Sequence, residues 1–256
     1  MEIRTLEAPS LAQYYQMVEG LPGSTNGLFR GQGNSEWELV PSLYRIDNIN
    51  ISGGTVKRNY DIFEMRYLDG FFREGLPYLP PLPRNYFNDR ALAQHFGVPT
   101  KLLDWTRDPL VALYFAVEKY EEQVDAAVFL LLPDSEALPE QIVDFDHFDV
   151  YSAISVTPPA IDRRIPAQKS VFTFHPYGEE KTKFVPLDQR PNTGNLISDH
   201  SNTMRRGFAK ITIPARHKLP LLQRLLQRGV DRRNLFPGLD GVGANAAIRA
   251  RTRFWS

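Results

Sequence analysis

Residues 110–117, LVALYFAV, constrain the fold most, because this stretch is apolar on every side of a helix. Asp108 and Pro109 precede it, and they are a capping acid and the residue favoured at the first helical position. A helix that is apolar all round must be buried all round. The fold must therefore pack other elements around this helix, and 42% apolar residues in 256 are enough to form such a core.

The rest of the chain mixes strand-like and helical patterns in an irregular order. Apolar or alternating runs predict strands at 28–33, 126–132, 170–176 and 208–214, with an extended segment from 37 up to Pro41. Apolar residues at helical spacing predict helices at 9–19, 57–74, 85–96 and 219–229. Residues 91–117 look like two helices that meet at a short junction, 99–108. This order predicts an α+β fold in a single domain over 1–256.

Composition excludes several classes of protein. The chain has 30 basic and 30 acidic residues, which argues against a protein that coats nucleic acid or a membrane surface. It has no cysteine, so a disulfide, a cysteine zinc site and a thiol nucleophile are excluded. No apolar run reaches the ~18 residues of a membrane span, and no signal peptide is seen. We therefore expect a soluble, cytoplasmic protein.

Arg30 is the first candidate for a binding residue. It ends a predicted strand and is followed by Gly31, Gln32 and Gly33. The small neighbours would let an anion approach the backbone and the guanidinium together. The planar guanidinium suits a diphosphate or a carboxylate. The alternative is an arginine that pairs with a structural acid.

The junction at 99–108 is the second candidate, because large and charged side chains are crowded there. Asp104, Trp105 and Thr106 precede the buried helix. The indole could stack on a base, the hydroxyl could bond to it, and the helix end favours a phosphate. The alternative is a folded turn in which Asp104 and Asp108 cap backbone amides.

His95 could act as a base or as a donor to a ligand, although a lone histidine near a helix end also has a structural explanation. The five histidines lie far apart in the sequence, and no HExxH, P-loop or G-x-S-x-G pattern occurs. The sequence therefore predicts no metal site.

Several blocks, in this order, resemble the FRG domain, a bacterial and phage-associated family named for its Phe-Arg-Gly motif. They are FRGQ (29–32), WELVPSLYR (37–45), LAQHFGVPTKLLDWTRDPLVALYFAV (92–117), AQKSVFTFHP (167–176) and LFPGLDG (235–241). The resemblance implies one FRG domain over 1–256, with core motifs at 28–117 and 160–241. The family context also implies a toxin or anti-phage role.

The order of motifs is also similar to that of arginine–serine–glutamate ADP-ribosyltransferases. Phe29-Arg30-Gly31 matches the strand motif whose arginine holds NAD, and Trp105-Thr106 with the helix to Tyr114 resembles the second motif. Gln168 falls near the third motif, but Gln168-Lys169-Ser170 has no glutamate where that family has one. The resemblance implies an ADP-ribosyltransferase-like fold, with a split antiparallel or mixed sheet and flanking helices.

An acid from elsewhere would have to replace that glutamate. Asp104 is the best candidate, because it lies within two residues of Trp105 and Thr106. Its competing role is as a helix cap or as a partner for Arg107 or Lys101. Other possible substitutes are Glu179, Glu180 and Asp240.

The resemblance therefore implies a pocket that takes NAD as substrate, without a metal. Nicotinamide would lie near Trp105 and Thr106, Arg30 would bind the diphosphate or a ribose, and His95 and Gln168 would bond ribose hydroxyls. The expected catalytic residues are Arg30, Asp104 and Gln168. The expected NAD-binding residues are Arg30, Gly31, Gln32, His95, Trp105, Thr106 and Tyr114.

The main interpretation is NAD chemistry, in which the nicotinamide–ribose bond breaks and ADP-ribose passes to a protein, to a nucleic acid or to water. Two alternatives remain open. One is a non-catalytic module that binds a nucleotide or a protein, and the other is a nucleotide- or nucleic-acid-processing enzyme of another type.

Overall fold

The structure, a computed structural model, describes residues 5–46, 49, 56–142, 153–175, 184–189 and 207–254. The strands in these ranges are β1 Thr5–Glu7, β2 Leu28–Gln32, β3 Leu102–Thr106, β4 Ala126–Leu131, β5 Ser135–Ala137, β6 Ile154–Val156, β7 Ser170–Phe174 and β8 Phe208–Ile213. The α-helices are α1 Leu11–Gly20, α2 Val56–Gly75, α3 Tyr86–His95, α4 Pro109–Val117, α5 Arg164–Ala167, α6 Ala215–Gln227, α7 Arg232–Leu235 and α8 Leu239–Arg251. None of these helices is long and apolar enough to cross a membrane.

The strands form one mixed sheet in the order β1-β8-β4-β2-β3-β7-β6-β5. The pairs β1–β8 and β5–β6 at the two ends of the sheet are parallel. The pairs between them are antiparallel. This architecture confirms the predicted α+β class, with helices flanking a mixed sheet.

Helix α4 lies at the centre of the larger core, as its sequence requires. The Asp108 carboxylate accepts a hydrogen bond from the Leu110 N–H at 2.9 Å and caps the helix, and Pro109 fills the first position. Side chains of α1, α6, β4 and β8 pack around α4 in one buried cluster. Burial of this apolar helix therefore fixes three helices on one face of the sheet.

The opposite face of the sheet has a separate core. Leu28 of β2, Leu103 and Trp105 of β3, and Phe129 of β4 form it, together with side chains from irregular segments such as Leu39. Because side chains alternate along a strand, Leu102 instead packs into a third cluster.

The predicted junction of two helices at 99–108 is wrong, because strand β3 lies between α3 and α4. The segment is too short and too polar for periodicity to distinguish a strand from a turn. In the structure Leu103 and Trp105 lie on one face and Leu102 on the other, which is the period of a strand. Strand β3 pairs with β7 along its whole length.

The start of one helix also differs from the sequence prediction. Helix α6 begins at Ala215, and Pro220 lies inside it. Proline is favoured in the first turn of a helix, so Pro220 misleads a prediction of where α6 starts. Residues 37–41 belong to no strand, and a 3₁₀ turn at Ser42–Arg45 begins directly after Pro41, where the predicted extended segment ends.

Candidate functional site

The sheet parts between β2 and β3. These two strands pair only at Phe29 and Thr106. By contrast, β2 pairs with β4 from Leu28 to Gln32, and β3 pairs with β7 from Leu102 to Thr106. Beyond the single contact the two halves of the sheet diverge, and a pocket of about 370 Å³ opens between them.

Arg30 spans this gap. Its Nη1 donates a hydrogen bond to the main-chain carbonyl of Asp104 at 2.7 Å and lies 3.8 Å from the Asp104 carboxylate. Burial lowers the pKa of Arg30, while the Asp104 charge raises it and the Arg45 charge lowers it further. The Arg30 Nε is buried, and no described residue accepts a hydrogen bond from it. The guanidinium of this pocket-lining residue therefore has an unused donor.

Gln32 leaves a second polar atom unused. Its side chain lines the pocket on the same face of β2 as Arg30, because residues two apart on a strand share a face. The residue is only 5% exposed, and its Oε1 has no hydrogen-bond partner in the described part of the chain. An unpaired buried oxygen costs about 1–3 kcal/mol. This cost is a reason to expect a ligand that donates to it.

The structure explains the glycine at position 31 by helix packing, whereas the sequence suggests that it lets an anion approach the backbone. A Cβ at this position would lie 1.8 Å from the Ala112 carbonyl oxygen and 2.7 Å from the Ala116 nitrogen. Helix α4 therefore crosses β2 directly over Gly31. The glycine allows close packing of helix on strand, and this packing brings the end of α4 to the pocket.

Aromatic and charged side chains complete the pocket walls. The aromatic ones are Phe29, Trp37, Trp105, Phe115 and Phe236. The charged ones are Arg30, Arg45, Asp104, Glu118 and Lys119. Three cations and several ring faces give this pocket the chemistry to hold a phosphate and a planar ring together.

Asp104 lies at the pocket, but its contacts differ from those expected. Its side chain is 62% exposed, and its Oδ2 accepts a hydrogen bond from the Gln94 amide at 2.8 Å. Neither expected alternative partner binds it, because Lys101 pairs with Asp61 and Arg107 pairs with Glu136. The helix cap at this junction is Asp108 alone. Asp104 therefore has an accessible carboxylate with one amide partner and Arg30 nearby.

Trp105 lines the pocket but belongs mainly to the core. The residue is 3% exposed, and its Nε1 donates to the Thr173 hydroxyl at 2.7 Å. The Thr173 oxygen lies 2.7 Å from His175 Nε2, so the indole is part of a buried polar chain. Little of its surface is left to contact a ligand.

Thr106 and Gln168 both line the pocket, and both make hydrogen bonds that connect the segments around it. The Thr106 hydroxyl donates to the Gln168 carbonyl at 2.6 Å and accepts from the Asp108 N–H at 3.0 Å. The Gln168 amide donates to the Leu235 carbonyl at 2.9 Å. These bonds tie the start of α4 to the segment before β7 and to α7.

The structure does not bring His95 or Tyr114 to the pocket wall. His95 Nε2 lies 3.1 Å from an Asp162 carboxylate oxygen, at the end of α3. Tyr114 is completely buried in the core around α4, and burial raises its pKa. Asp240 is exposed at the start of α8 and does not line the pocket. Glu179 and Glu180 lie outside the described residues.

Eight lining side chains are absent from the site residues expected from the sequence. They are Phe29, Trp37, Arg45, Phe115, Glu118, Lys119, Ser170 and Phe236. Trp37, Arg45 and Phe236 lie inside blocks that carry the family resemblance, so the resemblance could have identified them. Glu118 and Lys119 follow the apolar helix directly, and only the path of α4 over Gly31 shows that they reach the pocket.

Comparison with known families gives one match. The FRG domain family matches residues 25–125, a stretch that contains β2, β3 and α4. No curated protein and no solved structure matches the chain significantly. The match supports the resemblance to FRG domains. The similarity to ADP-ribosyltransferases stays a prediction.

Proposed function

We propose that the pocket between β2 and β3 binds NAD and breaks its nicotinamide–ribose bond. ADP-ribose would pass to a macromolecular acceptor, protein or nucleic acid, or to water. The observation that carries this proposal is the pair of unused buried atoms, Arg30 Nε and Gln32 Oε1, where the sheet parts. Of the residues with such atoms in the described part of the chain, Arg30 and Gln32 are the two that line this pocket, and a polar ligand would satisfy both atoms.

The walls fit the parts of a dinucleotide. Arg30, Arg45 and Lys119 supply positive charge for a diphosphate. Trp37 at the pocket mouth is 49% exposed and offers a free ring face to a base. A volume of about 370 Å³ lies within the usual range of ligand pockets, about 300–1,000 Å³. In this arrangement Arg30 and Gln32 bind at the closed end, and Trp37 binds at the open end.

One observation favours a second candidate, a module that binds the nucleotide without cleaving it. The family-like acid position holds Ser170, which lines the pocket, and the Gln168 amide is already bonded to the Leu235 carbonyl. A serine there cannot stabilise a positive sugar ring as a carboxylate does. In this alternative, Asp104 only orients Arg30.

The test combines binding and turnover on the full chain. Calorimetry with NAD measures affinity, and chromatography of the same mixture measures nicotinamide release. Binding with release supports the enzyme, and binding without release, with or without cell extract as acceptor source, supports the module. No binding of NAD would contradict both.

A variant of Gln32 makes the binding claim specific. Gln32→Leu keeps most of the side-chain volume and removes the unpaired oxygen. We expect unchanged or higher stability, because an unsatisfied buried group is lost, together with at least tenfold weaker NAD binding. The matched control is Gln123→Leu, at an exposed glutamine on the loop after α4. Equal affinity in the wild type and Gln32→Leu would remove Gln32 from the site.

A further inference from the structure

We propose that Glu118 is the proton-accepting carboxylate of this pocket, a role that rests on the proposed cleavage of NAD. Glu118 follows the last turn of α4 and lines the pocket together with Phe115 and Lys119. Among the described residues, the pocket has two carboxylates, Asp104 and Glu118. The choice between them depends on position, partners and burial.

The position of Glu118 is not explained by the stability of its helix. It is the residue that caps the C-terminal end of α4, and this helix has no basic residue in its last turn. The carbonyls at a helix C-terminus carry partial negative charge and favour a cation there. A carboxylate at this end costs the helix stability, and the ion pair of Glu118 with Arg232 offsets part of that cost.

Arg232 holds the Glu118 side chain in one orientation. Its Nη1 donates to Glu118 Oε2 at 2.7 Å, and its guanidinium lies 3.8 Å from the centre of the Phe236 ring. Phe236 itself lines the pocket. Within the described residues no hydrogen bond reaches Glu118 Oε1. One carboxylate oxygen is thus fixed, and the other is left for a proton.

Burial separates Glu118 from Asp104. The Glu118 side chain is 22% exposed, against 62% for Asp104. Burial raises the pKa of Glu118, while Arg232 and Lys119 lower it. A carboxylate with a raised pKa is the better proton acceptor near neutral pH. Asp104 is more exposed, and its contact with Arg30 suits a positioning role.

The proposed cleavage of NAD needs no oxidant, reductant or further cofactor. The bond between the ribose C1′ and the nicotinamide nitrogen breaks, and its electron pair returns to the ring nitrogen, which becomes neutral. The oxygen of water or of an acceptor hydroxyl bonds to C1′, and its proton passes to the Glu118 carboxylate. Arg232 stays protonated throughout and orients that carboxylate.

The test compares Glu118→Gln with Glu121→Gln, a matched change at an exposed glutamate three residues on. NAD affinity and nicotinamide release are measured for the full chain. We expect Glu118→Gln to bind NAD within about threefold of the wild type, and its release rate to fall by about 10²–10⁴. Glu121→Gln should match the wild type in both. Wild-type release in Glu118→Gln would overturn this inference and leave the proposed function standing.

If the wild type itself releases no nicotinamide, the proposed function fails, and the role of Glu118 fails with it. If the ion pair between Glu118 and Arg232 is only structural, the two variants give a third result. Then Glu118→Gln and Arg232→Gln would lower the melting temperature and the release rate in parallel.

The pH profile of release distinguishes a proton acceptor from a structural residue. Release by the wild type should fall as the pH drops through the pKa of Glu118, and Glu118→Gln should lack this acid limb. The charged or titratable groups around Glu118 are Arg232 on α7, Tyr114 and Lys119 on its own segment, and Arg30 and Asp104 across the pocket. An acid limb that persists in Glu118→Gln would assign the proton to another group and overturn the inference.

Discussion

The Arg30 guanidinium donates to the main-chain carbonyl of Asp104 at 2.7 Å, across the point where β2 and β3 part. A side chain here takes the place of a ladder hydrogen bond between two strands. The Nε of the same guanidinium has no acceptor among the described residues. Arg30 therefore joins the two halves of the sheet and also offers a donor to a ligand.

We expect Arg30→Lys to weaken NAD binding more than it weakens the fold. Lysine can still donate to the Asp104 carbonyl, but it has no Nε donor and no planar fork. The expected loss in affinity is at least tenfold, about 1.4 kcal/mol, with a small change in melting temperature. Calorimetry and thermal unfolding of the same samples measure both. The control is Arg107→Lys, an exposed arginine paired with Glu136. Parallel losses in stability and affinity would make Arg30 a structural residue only.

Gly31→Ala should destabilise the protein strongly. The added methyl group would meet the Ala112 carbonyl oxygen of α4, which is backbone and cannot rotate away. We expect a loss of about 3 kcal/mol in the free energy of unfolding, measured with urea. Gly70→Ala in α2 is the control. Nothing lies near its added methyl group, and alanine should stabilise that helix by about 0.5–1 kcal/mol. A mild effect of Gly31→Ala would mean that α4 does not need to approach β2 closely.

The surroundings of Asp162 predict that the stability of the fold depends on pH in the acid range. Burial alone would raise the pKa of Asp162, but hydrogen bonds from Arg164 and the nearby His95 lower it to about 2. The folded pKa is thus below the unfolded value of about 4. The contribution of Asp162 to stability is therefore present above about pH 4 and is lost as the pH falls toward about 2.

Urea unfolding at several pH values between about 2 and about 4 tests whether Asp162 contributes to stability in this way. Asp162→Asn should lose less stability than the wild type as the pH falls, because the variant has no proton to take up at this position. Asp240→Asn, at an exposed aspartate of α8, should behave as the wild type does. Identical slopes for the wild type and Asp162→Asn would show that this carboxylate has no special environment in the fold.

The sequence predicts the elements whose signals are local. The Asp108 cap, the proline after it and the apolar body of α4 lie within ten residues of one another, and the structure confirms all three. The alternation in β7 and β8 is local in the same sense. Strand β3 was missed because its five residues carry too few alternations to be recognised without their neighbours.

The candidate site is less predictable, because its main features depend on partners distant in sequence. Arg30 reaches the chain 74 residues away, and nothing near Arg30 tells which of its donors is used. His95 lies beside the Asp162 carboxylate, and the Trp105 indole donates to Thr173, so both side chains have partners inside the fold that are distant in sequence. The parting of β2 and β3 is a property of the whole sheet. Only that parting shows why Gln32 and Glu118 face one pocket.

The two tryptophans of the pocket should respond oppositely to truncation. Trp105→Ala removes a core side chain and a bonded indole, and it should cost about 3–5 kcal/mol of stability with or without NAD. Because a residue that is 3% exposed has little surface for a ligand, the thermal shift caused by NAD should persist in this variant. The measurement is thermal unfolding with and without NAD, in a scan that starts at a temperature where the variant is still folded.

Trp37→Ala should show the reverse pattern. Trp37 is half exposed at the pocket mouth, so its truncation should change stability by less than about 1 kcal/mol. If its ring stacks on the base of NAD, affinity should fall by about 1–3 kcal/mol, and Trp37→Phe should recover part of that loss, because phenylalanine keeps a ring face. Calorimetry with NAD and with ADP-ribose, which share the adenine, should show the same loss for both. A loss confined to NAD would place Trp37 against the nicotinamide instead, and unchanged affinity for both would remove it from the site.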